Sequence, residues 1–309
     1  MHLLVTNDDG PPSSQSSPYV LPFVRTLESA GHTVSVCLPH TQRSWIGKAH
    51  IVGQDVQATY YWPEDDNSHS GKPWVLVNST PASCAQLGLY HVFQDRPPID
   101  AVVSGPNYGR NTTALFALSS GTLGAALEAA VCDCKAIALS FAFTDRSNYP
   151  EVVAASCRQS VKVIEYLVNK GTWGGGLLYS LNVPVVKDVE SKKVEWTRVL
   201  QNSWSGGGCF EAMSSTIESP EMEERQLRRQ ESAQDESASS GSRAEASGNA
   251  ENWKPRHFKW APKFSEVYDS VERAGPGSDG WAVKEGWTSV TALNANFMHV
   301  GGYEGELKL

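Results

Sequence analysis

The sequence predicts an α/β protein with a mostly parallel, twisted sheet and helices on both faces, a Rossmann-like arrangement. Three observations indicate this fold class. Short apolar runs alternate with segments of helical spacing over the first two thirds of the chain. The first strand, helix and second strand form a βαβ unit within residues 2–38. The apolar content of 40% in 309 residues is ordinary for a globular protein with a sizeable core.

The predicted elements follow one another in a regular order. The first strand, residues 2–6, is short and rich in Leu and Val, and the helix after it ends at Gly31. Thr80 and Pro81 supply an N-cap and a first-turn proline for a later helix. The further predicted strands are 33–38, 74–77, 99–104, 136–140 and 177–183, and the further predicted helices are 82–93, 120–131 and 153–171.

A polar segment interrupts the last third of the chain. Residues 214–252 are rich in Ser, Glu and Arg and have no apolar stripe, which predicts a disordered insertion. The flanking stretches VLQNSW (199–204) and RHFKWAP (256–262) are typical of strands and predict a C-terminal β-hairpin extension. The aromatic residues resume after the insertion, so we expect a single domain over residues 1–309.

Charge and hydropathy exclude several classes of partner. The net charge of −8 and the isoelectric point near 5.5 argue against binding of extended nucleic acid. The sequence shows no signal-peptide pattern and no apolar run long enough to cross a bilayer, so we expect no membrane contact and a cytoplasmic location.

Three polar turns follow the carboxyl ends of predicted strands. They are Asn7–Gly10 with Asp8 and Asp9, the turn 41–44, and the glycine-rich stretch 104–111. Asp-Gly pairs are common in ordinary turns, which is the simplest interpretation of the first one. Ligands of open parallel sheets bind outside the carboxyl ends of the strands, so three polar turns at one edge favour a binding site.

Seven motifs together resemble the survival protein SurE family of nucleotidases, and especially its fungal branch. They occur in the family's order and cover most of the chain outside the polar insertion. The motifs are TNDDG (6–10), LPHTQRSWIG (38–47), STPASC (79–84), SGPNYGRN (104–111), SSGTLGAALE (119–128), SLNVP (180–184) and DGWAVKEGWTSVTAL (279–293). In one departure from the pattern, Ser83 stands where the family commonly has Asp.

The resemblance implies a SurE-like fold and a hydrolase, a metal-dependent acid phosphatase or 5′/3′-nucleotidase. Its substrates would be nucleoside monophosphates and other small phosphoesters, and a homodimer is expected. The family's single divalent cation, Mg²⁺ or Mn²⁺, would be held by Asp8, Asp9, Ser44 and Asn107. The implied phosphate-binding groups are Asn111, Ser120, Gly121 and Thr122.

The chemistry of these residue types agrees with that implication. Mg²⁺ and Mn²⁺ prefer carboxylate, amide and hydroxyl oxygens. A bound cation acidifies water, and Asp8 or Asp9 would hold or deprotonate this water as the catalytic group; the sequence leaves both assignments open. Backbone N–H groups of Gly121 and Thr122 would stabilise phosphate charge. The alternative is a non-catalytic nucleotide- or phosphate-binding protein that has kept the pocket.

Overall fold

The structure is a computed structural model that describes residues 1–63, 71–143, 148–205, 207–213, 256–298 and residue 306. The described residues form a nine-stranded sheet in the order β3-β4-β2-β1-β5-β6-β7-β11-β8 and a separate two-stranded sheet of β9 and β10. Most neighbouring strands in the large sheet are parallel, while β3 pairs antiparallel with β4 and β11 pairs antiparallel with β7. The predicted fold class is confirmed.

The bounds of the elements are as follows. The strands are β1 (His2–Thr6), β2 (Thr33–Pro39), β3 (Ala58–Tyr61), β4 (Trp74–Val77), β5 (Ala101–Tyr108), β6 (Ala136–Ala142), β7 (Leu177–Pro184), β8 (Val194–Trp196), β9 (Phe210–Met213), β10 (His257–Trp260) and β11 (Thr288–Asn294). The helices are α1 (Val20–Ser29), α2 (Pro81–Tyr90), α3 (Ala114–Ser119), α4 (Gly121–Val131), α5 (Pro150–Lys170), α6 (Phe264–Glu272) and α7 (Asp279–Lys284), with a 3₁₀ turn at Val189–Ser191.

Alternate residues of the central strands supply two hydrophobic cores, one on each face of the sheet. Leu3 and Val5 pack with apolar residues of α1 and α5, whereas Leu4 packs with residues of α2 and α4. Successive side chains of a strand point to opposite faces, so a strand covered on both faces is apolar at nearly every position. Burial on both faces explains the continuous apolar runs of the sequence. Each fully buried Leu or Val side chain contributes about 1.5–3 kcal/mol to the stability of the folded protein.

The strand order reverses direction at β1, which lies between β2 and β5. Both neighbours run parallel to β1, and Thr6 is in register with Ser104 of β5. From β1 the chain continues to β2 on one side, and it later forms β5 on the other side of β1. The connections therefore diverge, which opens a crevice at the carboxyl ends of these strands. The turn after β1 and the end of β5 therefore lie on the two sides of one crevice.

Strand β5 is longer than the sequence predicts. It continues to Tyr108 instead of ending at Ser104, and its register with β6 shifts between Ser104 and Asn107. A Cβ atom at Gly105 would lie 2.1 Å from the Leu139 carbonyl oxygen, and Gly105 has a φ of +131°, so glycine is required there. The irregularity places Asn107 on the sheet edge opposite Ser140 rather than in a loop.

The C-terminal hairpin exists, but one of its strands is not the predicted one. Strand β10 contains the expected residues and pairs antiparallel with β9, so that His257 lies opposite Met213. The prediction that residues 199–204 form the partner strand is wrong; those residues are irregular, and the Leu200 carbonyl instead accepts a hydrogen bond from the N–H of Ala114, the first residue of α3. The predicted disordered insertion, residues 214–252, lies outside the described residues.

Deleting residues 214–252 should leave the melting temperature and the phosphate-release rate close to wild type when a short Gly/Ser bridge joins the ends. The bridge, which joins Met213 to Trp253, must be long enough for Met213 to pair with His257; Trp204 is not the partner of His257. The deleted residues carry little apolar surface, and shortening a loop changes its closure entropy by only about 0.6 kcal/mol per halving of length. Thermal melts and phosphate release test this. The matched control replaces residues 214–252 by a Gly/Ser segment of the same length. A melting temperature lowered by several degrees in both the deletion and this control would contradict the prediction.

Candidate active site

The turn after β1 is fixed by its own side chains and by the neighbouring loop. Asn7 donates from Nδ2 to the Gly10 carbonyl at 2.9 Å and accepts from the Gly10 N–H at 2.9 Å. Gly10 has a φ of +82°, and a Cβ atom there would meet the backbone of Thr41 at 3.3 Å. Because the turn is held this way, Asp8 and Asp9 are almost fully buried, with exposed fractions of 3% and 1%.

Asp9 connects the turn to the end of β5. Its Oδ2 atom accepts a hydrogen bond of 2.6 Å from the backbone N–H of Tyr108, the residue after Asn107. The Tyr108 ring packs edge-on against the Tyr19 ring, with the ring centroids 5.2 Å apart. It also packs in a tilted orientation against the Phe143 ring, with the centroids 4.8 Å apart. The carboxylate of Asp9 is therefore held by a backbone group that is itself fixed by packing.

Asp8 connects the turn to the N-terminus of α4. Its Oδ1 atom accepts a hydrogen bond of 2.6 Å from the Thr122 hydroxyl. A Cβ atom on Gly121 would lie 2.7 Å from the Asp8 Cβ and 3.0 Å from its Oδ2, so this helix approaches the carboxylate at a distance only glycine permits. Ser120 caps the helix by accepting from the Leu123 N–H at 3.2 Å, which confirms the predicted helix start.

The loop after β2 brings Ser44 to the same turn. The N–H of Arg43 donates to the Asp8 carbonyl at 2.7 Å, so the residue before Ser44 is in direct contact with Asp8. The next residue, Trp45, has a φ of +59° and packs its ring 4.5 Å from Trp260 and 5.6 Å from Phe116. This aromatic cluster fixes the loop against β10 and α3.

The second asparagine of the β5 motif is anchored differently from the first. Asn107 donates from Nδ2 to the carbonyl of Gly109, the first residue after β5, at 2.9 Å. Asn111 is buried, donates from Nδ2 to Ser140 Oγ at 2.8 Å, and donates from its backbone N–H to Asn182 Oδ1 at 2.9 Å. The structure thus brings the neighbours of Ser44 and Asn107, and the helix start at Thr122, into contact with the two carboxylates, whereas the contacts of Asn111 are with Ser140 and Asn182.

Asn182 was missed as a site residue in the sequence. It lies within the SLNVP motif, is fully buried, and its Nδ2 donor has no hydrogen-bond partner among the described residues. The same is true of the hydroxyls of Thr6 and Ser104, which lie opposite each other on β1 and β5. Buried polar groups normally have a partner, so these groups mark a place for a bound polar molecule or water. The alternation of side chains along β7 was the sequence signal that could have placed Asn182 on one face of the sheet with the buried Ser180.

Asp279, from the DGWAVKEG motif, is a second residue without an assigned role in the sequence. Its carboxylate accepts from the N–H groups of Thr113 at 3.0 Å, Leu200 at 2.9 Å and Gly280 at 2.7 Å. Burial raises the pKa of Asp279, although these hydrogen bonds oppose the shift. The contact with Thr113, two residues after Asn111, joins α7 to the loop that contains the second asparagine.

A polar cluster around Glu128 holds the Ser44 loop against α4. Glu128 is 4% exposed, and its carboxylate lies 2.5 Å from Lys48 Nζ and accepts from Gln86 Nε2 at 2.6 Å. Burial alone would raise the pKa of Glu128, but hydrogen bonds from Lys48 and Gln86 outweigh it and leave that pKa lowered. His50 lies between Glu128, at 3.4 Å, and Ser83 Oγ, at 3.0 Å, so Ser83 contacts a histidine where the family commonly has a carboxylate.

The fold and this crevice define an α/β protein whose binding site lies at the switch point of its sheet, lined by two buried carboxylates and a helix N-terminus. A family model described as Survival protein SurE matches residues 3–206. The chain belongs to the survival protein SurE family.

Individual relatives and a solved structure agree with this assignment. The "5′-nucleotidase SurE" of Ruegeria pomeroyi is 30% identical over 303 residues, which cover 96% of this chain and 95% of that protein. The "Probable tubulin--tyrosine ligase PBY1" of Saccharomyces cerevisiae is 31% identical over 351 residues, which cover 100% of this chain but 43% of that protein. The chain therefore spans less than half the length of the yeast protein.

The likeness of fold extends to a crystal structure. The SurE protein from Aquifex aeolicus superimposes with a TM-score of 0.62 and 21% sequence identity, covering 96% of this chain and 95% of that chain. Among the described residues, no helix is both long enough and apolar enough to cross a membrane.

Proposed function

We propose that this chain is a metal-dependent phosphomonoesterase that hydrolyses nucleoside monophosphates, as a 5′/3′-nucleotidase, and other small phosphoesters. The observation that carries the proposal is the pair of buried carboxylates, Asp8 and Asp9, which are hydrogen-bonded respectively to the N-terminus of α4 and to the end of β5. The name "5′-nucleotidase SurE" of the bacterial relatives supports the same activity. The single-domain organisation, a homodimer and a cytoplasmic location remain proposals.

The residues present fit one hard divalent cation, Mg²⁺ or Mn²⁺. Asp8 and Asp9 are adjacent and almost fully buried, and their carboxylate oxygens are the ligands that a hard cation prefers. The described residues contain no group of three or more His, Cys, Asp and Glu side chains placed to hold a metal, so the remaining ligands would be neutral oxygens. Ser44 and Asn107, each next to a residue that contacts Asp8 or Asp9, would supply them.

The residues of this chain then have distinct roles in hydrolysis. A bound cation would supply charge for the phosphoryl oxygens and lower the pKa of water. Asp8 or Asp9 holds the attacking water or takes its proton. The backbone N–H groups of Gly121 and Thr122 lie at the N-terminus of α4 and stabilise the charge of the phosphate. The Thr122 hydroxyl has a different partner, because it donates to Asp8. Asn111, fixed by Ser140 and Asn182, binds a phosphate oxygen.

A phosphate-release panel tests the proposal. Nucleoside 5′- and 3′-monophosphates, polyphosphate and an aryl phosphate are each supplied with Mg²⁺, Mn²⁺ or a chelator. We expect release from nucleoside monophosphates only when a divalent cation is present. Binding of a nucleotide without any release would favour the alternative, a non-catalytic nucleotide-binding protein, and turnover that resists the chelator would exclude the metal mechanism.

Asn107→Ala and Asn111→Ala should weaken different ligands. Asn107→Ala removes a proposed cation ligand, so the metal concentration for half-maximal activity should rise about tenfold or more. Asn111→Ala should instead raise KM and weaken inhibition by inorganic phosphate. Metal titrations of the two variants at saturating substrate provide the measurement. Superimposable titration curves would show that this division of roles is wrong.

A further inference from the structure

Ser83, His50 and Glu128 meet outside the crevice, and each comes from a different element. Ser83 lies in the first turn of α2, His50 in the loop after β2, and Glu128 on α4. Glu128 is seven residues after Gly121, the residue that contacts Asp8, so it lies about 10 Å further along α4. The three side chains are therefore separate from the proposed metal site.

The Ser83 hydroxyl is placed to donate its proton to His50. Its Oγ atom lies 3.0 Å from His50 Nδ1 and 3.1 Å from Thr80 Oγ1. The Thr80 hydroxyl donates its own proton to the Ala49 carbonyl at 2.5 Å, so it accepts from Ser83 and does not donate to it. When the ring proton of His50 is on Nε2, the Nδ1 atom is also an acceptor. Ser83 thus has a base within reach of its proton.

A buried carboxylate lies on the other side of the His50 ring. The Nε2 atom of His50 is 3.4 Å from Glu128 Oε2, and Glu128 is 4% exposed. Burial raises the pKa of Glu128, but hydrogen bonds from Lys48 and Gln86 outweigh it and leave that pKa lowered, so Glu128 is ionised at neutral pH. A carboxylate in this place favours the ring proton on Nε2 and stabilises the imidazolium that forms when Nδ1 takes a proton.

The position of Ser83 in its helix favours a nucleophilic role. Helix α2 begins after its N-cap Thr80, and Ser83 is its third residue. A helix N-terminus carries partial positive charge, which stabilises negative charge that forms on an oxygen beside it. Ser83 is 9% exposed, whereas the His50 side chain is 41% exposed, so a small molecule reaches the pair from the side of the histidine.

We propose that Ser83 is a nucleophile with His50 as its general base, and that this second site hydrolyses small activated acyl esters. Ser83 Oγ bonds to the acyl carbon and its proton passes to His50 Nδ1. The bond between that carbon and the ester oxygen breaks, and the proton goes from His50 to the leaving oxygen. Water then attacks the acyl-serine by the same route and releases the carboxylic acid. Glu128 acts through His50 and is a positioning residue.

The test uses an alkyl fluorophosphonate, which phosphonylates an activated serine with loss of fluoride. The whole chain is labelled in the presence of a chelator, so the proposed metal site makes no contribution. Peptide mass spectrometry locates the adduct. Ser83→Ala removes the nucleophile, and His50→Gln keeps a polar side chain but removes the base. Ser191→Ala is the matched control, because Ser191 is exposed and its hydroxyl donates to the Asp188 carbonyl at 2.8 Å.

We expect an adduct on Ser83 in the folded wild type, formed more slowly at acid pH, where His50 is protonated, and not formed in urea. His50→Gln should slow the labelling about a hundredfold or more, because a general base contributes about 10²–10⁴ in rate. Ser83→Ala should remove the adduct, and Ser191→Ala should keep the wild-type rate. Hydrolysis of p-nitrophenyl acetate should fall in Ser83→Ala and His50→Gln and stay unchanged in Ser191→Ala.

Two results would overturn the assignment of this second site. One is the absence of an adduct on Ser83 in the folded wild type, a measurement that does not depend on how any variant folds. The other is an equal rate of Ser83 labelling in wild type and in a His50→Gln protein with the wild-type melting temperature. Both results are independent of the proposed phosphatase, since the labelling uses neither a metal ion nor a phosphomonoester.

Discussion

Asp9→Asn should lower kcat for phosphate release by about a hundredfold or more while the protein keeps its fold. The amide oxygen of Asn can still accept the 2.6 Å hydrogen bond from the Tyr108 N–H, so the geometry of the turn and of β5 is maintained. What the substitution removes is one of two buried negative charges. Loss of one major electrostatic interaction in an active site costs about 10²–10³ in rate. Phosphate release with AMP and Mn²⁺ provides the measurement.

The control for Asp9→Asn is the same chemical change at a surface site. Asp188 is 58% exposed and pairs with Lys192 at 3.1 Å, so Asp188→Asn should leave the rate unchanged. Calorimetric titration with Mn²⁺ gives a readout independent of turnover, and Asp9→Asn should weaken the binding of Mn²⁺. A wild-type rate in Asp9→Asn, or Mn²⁺ binding that is equal in both variants, would contradict the proposed metal site.

Gly121→Ala should reduce kcat/KM by about a hundredfold with a smaller effect on stability. The new methyl group would lie 2.7 Å from the Asp8 Cβ, closer than carbon atoms approach each other, and 3.1 Å from Ile46 Cγ2, which is a tight contact. Asp8 cannot move aside easily, because its carbonyl and its carboxylate are both hydrogen-bonded. The N-terminus of α4 must therefore shift, and a displacement of about 1 Å at a catalytic site can cost about a hundredfold in rate.

Gly88→Ala is the matched control for this substitution. Gly88 is also a buried helical glycine, in α2, and its new Cβ would lie 2.6 Å from Leu4 Cδ2. The contacted atoms are the ends of a flexible side chain in the core, away from the crevice. We expect Gly88→Ala to lower the melting temperature and to leave kcat/KM unchanged. Equal losses of activity in Gly88→Ala and Gly121→Ala would show that both act through general destabilisation.

Features that depend on a few consecutive residues could be predicted well from the sequence. The strand at residues 2–6, the turn at Asn7–Gly10 and the N-caps at Thr80 and Ser120 lie where the sequence places them. Apolar spacing and capping residues act over one or two turns of helix or along one strand, so their signals are present in short stretches of sequence. Element ends were less certain: α2 ends at Tyr90 instead of residue 93.

Features that depend on a partner distant in the chain could not be predicted from local pattern. β5 extends to Tyr108 because β6 continues to pair beyond the irregularity, with Asn107 opposite Ser140. The hairpin partner of β10 is residues 210–213, because strand pairing is decided by the register available in the folded chain and not by β-propensity alone. The same reason explains why Asn182 and Asp279, which act through residues more than 60 positions away, had no assigned role.

The sequence by itself determined the fold class and the order of the central elements, because hydrophobic periodicity and turn composition are local properties. The predicted site residues came from the resemblance of its motifs to the SurE family. The tertiary structure decided which of these residues meet. Asp9 reaches Tyr108 across 99 positions and Asp8 reaches Thr122 across 114. Such contacts exist only when the sheet order and helix packing bring the segments together, since hydrogen bonds act over about 3 Å. The spacing of residues along the sequence does not predict them.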